Sequence, residues 1–245
     1  MSAKRTVLVT GAAGAIGAAV ARRLHRDGAS VIGTDLGPRP PDLPVADWLT
    51  ADIAVEQGRA AVAAALGPAL DGFVHCAGVF HTAALGSITD ADWERVFAIN
   101  AKGPLLLFQA VAPRMAGGSA AVFVSSIAAL RGTPDHVLYA ASKAALRNVA
   151  ASLALGLAPR GVRVNCLCPG LIDTPMTDAA NAQLAAARGV PVARIAADRA
   201  AAIPNGRAGT ADEVAGAVAF LLSQDAAYMT GATLTLAGGL LAGAV

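Results

Sequence analysis

The sequence predicts a single α/β domain of the doubly wound type, in which helices flank a central parallel β-sheet. Short apolar runs alternate with longer stretches of helical periodicity, which is typical of βαβ units. The first apolar run leads into a glycine-rich turn and then into a helix. No repeat, low-complexity tract or linker divides the chain, so we expect residues 1–245 to form one domain.

The predicted elements of the first part follow one another in regular order. Thr6–Thr10 is an apolar run that predicts the first strand, and Ala15–Asp27 has the pattern of the helix after it. Ser30–Thr34 predicts the second strand. Leu36–Pro44 contains four prolines, which exclude a helix in that segment.

The rest of the chain continues this alternation. Thr210 and Glu213 have the spacing of a capping box, so we expect a helix to start there. The other predicted elements are buried strands at Phe73–Cys76, Ala120–Ser125 and Val162–Leu167, helices at about 90–115 and 138–157, and a last strand at Ala232–Leu236.

Composition limits the class of protein. Hydrophobic residues make up 55% of the chain and charged residues 15%, which allows a sizeable core and excludes disorder. A net charge of +2 without any run of Lys or Arg speaks against a nucleic-acid partner. The chain starts without a signal-peptide pattern, and its three cysteines and four histidines lack metal-ligand spacing. We therefore expect a cytoplasmic protein with reduced thiols and no structural metal.

The stretch 226–245 carries no charge and has the length of a membrane span. However, glycines interrupt it, and Thr230, Thr233 and Thr235 give it the character of a strand. We expect a strand of the domain there and no membrane partner.

The glycine-rich turn predicts a dinucleotide-binding site. Residues 10–17 read Thr-Gly-Ala-Ala-Gly-Ala-Ile-Gly, and glycines at a strand-to-helix turn let the backbone approach a pyrophosphate at the helix N-terminus. Asp35 ends the second strand, where a carboxylate accepts hydrogen bonds from the adenosine ribose hydroxyls. Each feature alone also fits an ordinary turn. Together they indicate a Rossmann-like site for NAD.

Ser126, Tyr139 and Lys143 form a candidate catalytic set. Tyr139 precedes Lys143 by four residues, so the phenol and the ammonium group lie on one face of a helix. Ser126 follows a predicted parallel strand, at the edge where doubly wound sheets bind ligands. A phenol titrates near pH ~10 and needs a nearby cation to act as a base at neutral pH. We therefore expect Lys143 to lower the pKa of Tyr139.

These motifs resemble the short-chain dehydrogenase/reductase family over nearly the whole chain. A Tyr-x-x-x-Lys spacing alone is a weak signal, but here the family's motifs occur in the family's order. Besides residues 139–143 they comprise Asp52 after the third strand, Ala77-Gly78 after the fourth, Asn100, Asn165, Pro169-Gly170 followed by Thr174, and Tyr228-Met229-Thr230-Gly231.

The resemblance implies an enzyme that passes a hydride between NAD(H) and a secondary alcohol or ketone, with a small-molecule substrate as its partner. It implies that Tyr139 is the general acid/base and that Ser126 hydrogen-bonds the reacting oxygen. Lys143 would bind the nicotinamide ribose, and Asn100 would anchor a water of the proton relay. By the same resemblance, cofactor binding falls to Gly11, Gly14, Ala15, Ile16, Gly17, Asp35, Asp52, Ile53, Ala77, Gly78, Tyr139, Lys143, Pro169, Gly170, Ile172 and Thr174.

The chain departs from the family pattern at several positions. Ala15 replaces the middle glycine of the turn and puts a methyl group near the expected pyrophosphate path. The usual Asn-Asn-Ala-Gly is His75-Cys76-Ala77-Gly78, so amide hydrogen bonds are lost there, and Ala237 replaces an acid near the end. None of these departures removes the catalytic set.

The stretch from about 176 to 204 is the least family-like and is expected to be a substrate lid. It carries Arg188, Arg194 and Arg199, each of which is either a solvated helix residue or a contact for an anionic substrate. The short segment after Asp35 and the pairs Asp92-Trp93 and Phe108-Gln109 are similar to 2,3-dihydro-2,3-dihydroxybenzoate dehydrogenases, which favours a cyclic diol. The 3-oxoacyl-carrier-protein reductases are an equally broad match, and a non-catalytic NAD-binding sensor or scaffold is the alternative of another class.

The sequence also predicts self-association. The helices that carry Asn100 and Tyr139 are rich in Ala and Leu, and the apolar C-terminal tail is hard to bury within one subunit. We expect a homo-oligomer, and the resemblance implies a homotetramer with dihedral symmetry.

Overall fold

A seven-stranded, all-parallel β-sheet forms the centre of the molecule in the computed structural model, which describes residues 4–242. The strand order is β3-β2-β1-β4-β5-β6-β7. Successive strands are added on one side of β1 up to β3 and on its other side from β4 onward, so the order switches between β1 and β4. This confirms the predicted doubly wound fold with helices on a parallel sheet. The predicted domain also includes residues 1–3 and 243–245, which lie outside the described residues.

The strands and helices alternate along the chain, as the sequence predicts. The strands are β1 (Thr6–Thr10), β2 (Ser30–Asp35), β3 (Asp47–Thr50), β4 (Gly72–His75), β5 (Ala120–Val124), β6 (Arg163–Pro169) and β7 (Thr233–Leu236). The helices are α1 (Ala15–Arg26), α2 (Glu56–Ala65), α3 (Asp90–Phe97), α4 (Gly103–Val111), α5 (Val137–Leu157), α6 (Pro175–Arg188), α7 (Val192–Ala201) and α8 (Ala211–Leu222).

Alternation along the strands divides the apolar residues between two cores. Val7 and Val9 of β1 face α1 and α8, whereas Leu8 between them faces the layer of α2, α4 and α5. In this second layer Phe73, Phe108 and Phe123 are fully buried, with ring centroids 5.1–5.5 Å apart. Both faces of the sheet are therefore covered, which is why its strands are continuous apolar runs.

The proline-rich segment after β2 contains no helix, as predicted. It leads directly into β3, whose Trp48 packs over Gly33 so closely that a Cβ there would lie 2.8 Å from the indole. The indole Nε1 donates to the Gly37 carbonyl at 3.2 Å. The segment is thus held against the sheet edge by Trp48.

The predicted helix at about 90–115 exists, but it contains one wider turn. Residues 98–102 form a π turn in which the Gly103 N–H donates to the Ala98 carbonyl. Pro104 has no N–H to donate to the carbonyl of Asn100, four residues earlier, so regular α-helical pairing fails at that point. This turn lies at Asn100, one of the candidate catalytic residues, and π turns are frequent at functional sites.

The uncharged C-terminal stretch contributes a strand, as predicted. Its residues Thr233–Leu236 pair in parallel with residues 166–169 of β6. In the described part of the chain one helical stretch, Asp90–Arg114, is long and apolar enough to cross a membrane. Its apolar residues include Val96, Leu107 and Phe108, which are fully buried in the protein.

Candidate active site

The glycine-rich turn crosses the backbone of the next loop at very short range. Gly11 has φ +66°, and a Cβ on it would lie 2.5 Å from the Ala77 amide nitrogen. A Cβ on Gly17 would lie 2.1 Å from the Gly11 carbonyl oxygen. Helix α1 begins at Ala15 after Gly14, and no side chain caps its first N–H groups. These N–H groups are thus available to an anion, which fits the pyrophosphate of a dinucleotide.

Asp35 lies at the carboxyl end of β2, beside this turn. Its Oδ2 accepts from the Ala13 amide at 2.9 Å, and its Oδ1 accepts from the Leu36 amide at 2.7 Å. The nearby Arg39 turns away, because its Nε and Nη2 donate to the Leu43 carbonyl at 3.2 and 2.8 Å. The carboxylate therefore borders the glycine-rich turn and has no basic side chain bonded to it among the described residues.

Asp52 and Ile53 lie in the loop after β3, where an adenine is expected. Asp52 Oδ1 accepts from the Ala54 amide at 2.8 Å, and the backbone of Ile53 is held by Arg59, whose Nη1 donates to its carbonyl at 2.9 Å. Ile53 itself is buried. The loop is thus held by its own Asp52 and by Arg59 of α2.

Asn100 is completely buried and fixed by three hydrogen bonds. Its Oδ1 accepts from the Val79 amide at 2.8 Å, and its Nδ2 donates to the Val79 carbonyl at 2.9 Å and to Ser142 Oγ at 3.0 Å. Gly78 is next to it: a Cβ there would lie 3.2 Å from Asn100 Oδ1 and 3.1 Å from Lys143 Nζ. The side chain of Asn100 therefore ties the loop after β4 to helix α5.

Lys143 is buried beneath the site. Its Nζ donates to the Val124 carbonyl at 3.2 Å and lies 5.9 Å from the centroid of the Tyr139 ring. Burial lowers the pKa of Lys143 to about 8. Ser125 Oγ donates to the Lys143 carbonyl at 2.8 Å, which anchors this turn of α5 to the end of β5.

Tyr139 and Ser126 face each other at the carboxyl edge of the sheet. Burial raises the pKa of Tyr139, and the nearby hydroxyl of Ser126 partly opposes this rise. In the protein alone the pKa of Tyr139 is thus raised and not lowered as expected, because desolvation of the phenolate outweighs the opposing effects of Ser126 and of the charge of Arg199. Ser126 begins a short 3-10 turn, where its Oγ accepts from the Ala128 amide at 3.1 Å.

His75 and Cys76 replace the family's two amides by different contacts. His75 is completely buried, and its Nδ1 lies 2.8 Å from Thr10 Oγ1, which links β4 to β1. Burial, together with the charge of Lys143, holds the pKa of His75 well below its usual value, so the imidazole is neutral. Burial also raises the pKa of the Cys76 thiol to about 12, which makes it unreactive.

A cavity of about 410 Å³ opens between this edge of the sheet and helices α6 and α7. Tyr139 and Ser126 line it, together with Ile16 of the glycine-rich turn. Its lining also includes the predicted cofactor-binding residues Pro169, Gly170, Ile172 and Thr174. Thr174 also caps α6, since its Oγ1 accepts from the Thr177 amide at 3.3 Å.

Three residues near the site were missed by sequence reasoning. Phe80 packs against the Tyr139 ring with centroids 4.8 Å apart. Ser142 accepts from Asn100 and donates to the Tyr139 carbonyl at 2.8 Å, and buried Asn181 accepts from Arg199. Of these three residues, only Ser142 could have been found from the sequence, because it lies inside the Tyr-x-x-x-Lys motif. Among the residues that the structure describes, no three His, Cys, Asp or Glu side chains cluster to hold a metal ion.

Comparison with known proteins gives a consistent group of relatives. Residues 11–241 match the family model adh_short_C2, described as enoyl-(acyl carrier protein) reductase. A cis-4-hydroxycyclohexanecarboxylate dehydrogenase of Sinomonas cyclohexanicum is 37% identical over 97% of this chain and 96% of the relative.

Solved structures extend this comparison to the fold. A short-chain dehydrogenase family protein of Francisella tularensis has a TM-score of 0.91 at 26% identity, covering 98% of this chain and 100% of the other. A variant of the actinorhodin polyketide ketoreductase, solved with NADPH, has a TM-score of 0.89 at 28% identity, covering 97% of both chains.

Proposed function

The chain belongs to the short-chain dehydrogenase/reductase family of nicotinamide-dependent oxidoreductases, and from this we propose that it interconverts a secondary alcohol and a ketone with NAD(H). The observation that carries the proposal is that Tyr139 and Ser126 line one cavity, with Lys143 buried behind the phenol. Such a group of residues can bind a hydroxyl or carbonyl oxygen and exchange a proton with it.

Tyr139 is proposed as the group that moves the proton. In alcohol oxidation its phenolate would accept the hydroxyl proton, and in ketone reduction its phenol would donate a proton to the forming alkoxide. Ser126 would hold the same oxygen by a hydrogen bond, which orients it toward the phenol. A bound nicotinamide would supply the hydride acceptor or donor.

Lys143 and Asn100 are proposed to support this transfer. The Lys143 ammonium would bind ribose hydroxyls and stabilise a phenolate by its charge. Asn100 lies in the π turn, where Pro104 offers its carbonyl no α-helical donor, and we propose that this carbonyl would bind a water of a proton relay. The remaining predicted contacts, from the glycine-rich turn to Thr174, would hold the dinucleotide. Asp35 favours NAD among the nicotinamide cofactors.

A second candidate is a reductase of 3-oxoacyl groups carried on an acyl carrier protein. It is favoured by the description of the matching family model. Three free cysteines are compatible with a reduced, cytoplasmic setting for either activity. A non-catalytic NAD-binding protein is disfavoured, because a pure binder has no need of Ser126, Tyr139 and Lys143 together.

The proposed function is tested by the absorbance of reduced nicotinamide during a substrate screen. The panel comprises secondary alcohols, cyclic diols, hydroxycycloalkane carboxylates and the acetoacetyl thioester of N-acetylcysteamine. We expect turnover with at least one alcohol or ketone and with NAD(H). Turnover of the thioester alone would favour the second candidate, and no turnover with cofactor binding intact would favour the non-catalytic alternative.

Self-association is proposed on the basis of exposed apolar side chains. Leu155 on α5 is 81% exposed, and Val137 on the same helix, Trp93 on α3 and Phe220 on α8 are also exposed. Such apolar side chains on the outer faces of helices are typical of interfaces between copies. Light scattering should therefore give a homotetramer at micromolar concentration, and Leu155→Lys should shift it toward smaller species. A stable monomer would contradict this prediction.

A further inference from the structure

The catalytic cavity carries more positive than negative charge. Arg131, Arg188 and Arg199 line it, against the carboxylates Asp135 and Asp198. Arg188 forms an ion pair with Asp135. Asp198 is held by Arg194, a residue outside the cavity lining, with Nε to Oδ2 at 2.8 Å. In the described part of the chain, Arg131 and Arg199 are therefore left without a carboxylate partner.

Arg199 differs from the other arginines of the cavity because it is half-buried. It lies on α7, and its Nη1 donates to Oδ1 of Asn181 on α6. Asn181 is itself only 6% exposed, so the guanidinium is held by a fixed partner. Its Nε and Nη2 edge has no hydrogen-bond acceptor among residues 4–242. That edge has the geometry that takes a carboxylate by two parallel hydrogen bonds.

The surroundings of Arg199 favour an anion. Burial lowers its pKa, and the positive charge of Arg131 lowers it further. The negative charge of an ionised Tyr139 would raise the pKa of Arg199. Arg199 therefore lies within electrostatic reach of the proposed proton-transfer group. Burial, with the charge of Arg199 among the smaller causes, also lowers the pKa of His136. This neighbouring imidazole is therefore neutral and does not balance the charge of Arg199. A half-buried cation beside another cation is stabilised by a bound anion.

We propose that Arg199 binds the carboxylate of the substrate, and that the enzyme acts on hydroxy or oxo acids with an apolar skeleton between the carboxylate and the reacting carbon. This inference rests on the proposed alcohol–ketone chemistry and names its substrate class. The cavity that Tyr139 and Arg199 line also has apolar side chains in its wall, among them Phe80, Leu184 and Ile195. They fit a carbocyclic or short aliphatic body and offer few partners to a sugar.

Helices α6 and α7 would then act as the substrate-binding lid. They have a small core of their own, formed by Leu184, Ala185 and Ile195, separate from the two cores beside the sheet. The bond between Asn181 and Arg199 connects the two helices at the cavity wall. A carboxylate bound at Arg199 would thus contact the part of the lid that Asn181 positions.

The inference is tested by binding rather than turnover. Isothermal titration calorimetry would compare cyclohexanecarboxylate with the neutral cyclohexanecarboxamide, on the protein alone and on the protein with NADH. We expect the carboxylate to bind about 10- to 100-fold more tightly, as is typical of hydrogen bonds to a charged group. Arg199→Met should abolish this preference. Arg199→Lys should keep part of it, because it retains the charge but not the planar fork.

Arg26→Met is the control, since Arg26 is an exposed arginine of α1 outside the cavity lining, and it should keep the full preference. The inference would be overturned if the parent protein bound the two probes with equal affinity or bound neither. It would also be overturned if a folded Arg199→Met kept the full preference for the carboxylate. Should Arg199→Met not fold, as judged by circular dichroism, the parent and Arg199→Lys still decide it. Failure of the proposed function would instead appear as absent turnover while the carboxylate preference is retained.

Discussion

Replacing Tyr139 by phenylalanine is expected to lower turnover by about 10²-fold or more while the dinucleotide still binds. The substitution keeps the ring, and with it the contact to Phe80 at 4.8 Å, but removes the hydroxyl that would exchange the proton. Ser126 cannot take over this role, because a serine hydroxyl is a far weaker acid than a phenol. The measurement is kcat on any substrate accepted by the parent, together with NADH affinity by fluorescence.

The chain offers a matched control for this variant. It contains two tyrosines, and Tyr228 is fully exposed, so Tyr228→Phe should leave turnover unchanged. Near-normal turnover in Tyr139→Phe would show that another group moves the proton. Loss of NADH binding in the same variant would show that the phenol serves the cofactor instead.

The parent enzyme is expected to favour NAD over NADP by on the order of 10²-fold or more in kcat/KM. Asp35 would accept hydrogen bonds from the adenosine ribose hydroxyls, whereas a 2′-phosphate would bring about two negative charges to its carboxylate. Arg39 cannot offset this repulsion where it stands, because its guanidinium is bonded to the Leu43 carbonyl. Leu36 occupies the place next to Asp35 where a basic residue would help NADP.

Asp35→Ser should reduce the preference for NAD over NADP in kcat/KM, mainly by raising kcat/KM for NADP. Since Asp35 also accepts from the Ala13 amide, the melting temperature of the variant should be measured beside its kinetics. Asp42→Ser removes an exposed carboxylate from the same proline-rich segment and is expected to leave the preference unchanged. Equal use of both cofactors by the parent would mean that Asp35 does not reach the ribose.

Much of the fold could be predicted because its signals are local. The glycines at 11 and 17, the prolines of the segment after β2 and the apolar strands each impose a backbone geometry on their own neighbours. The capping box of Thr210 and Glu213 is another such signal, and it is present at the start of α8. Strand limits differed from prediction by one or two residues, because pairing in the sheet, and not propensity, decides where a strand ends.

The site was predictable only in its sequence motifs. The four-residue spacing of Tyr139 and Lys143 places both on one helical face, and this needs no tertiary information. The π turn at Asn100 was signalled by Pro104, yet a proline alone does not distinguish a break from a wider turn. The sequence predicted a lowered pKa for Tyr139, whereas burial raises it. A four-residue spacing indicates a nearby charge, but it does not indicate the loss of water around the phenol.

By itself, the sequence determined the class of fold, most of its strands, the helices α1, α5 and α8, and the motif residues that could carry the chemistry, since these follow from backbone preferences, periodicity and spacing along the chain. Only the tertiary structure decided which charges of the cavity are already paired. In the folded protein Arg188 forms an ion pair with Asp135, and Arg199 donates a hydrogen bond to Asn181, although the members of each pair are far apart in sequence. Arg199 lies half-buried at the cavity wall. Burial and pairing depend on the packing of distant segments, and the free energy of a charge depends on both.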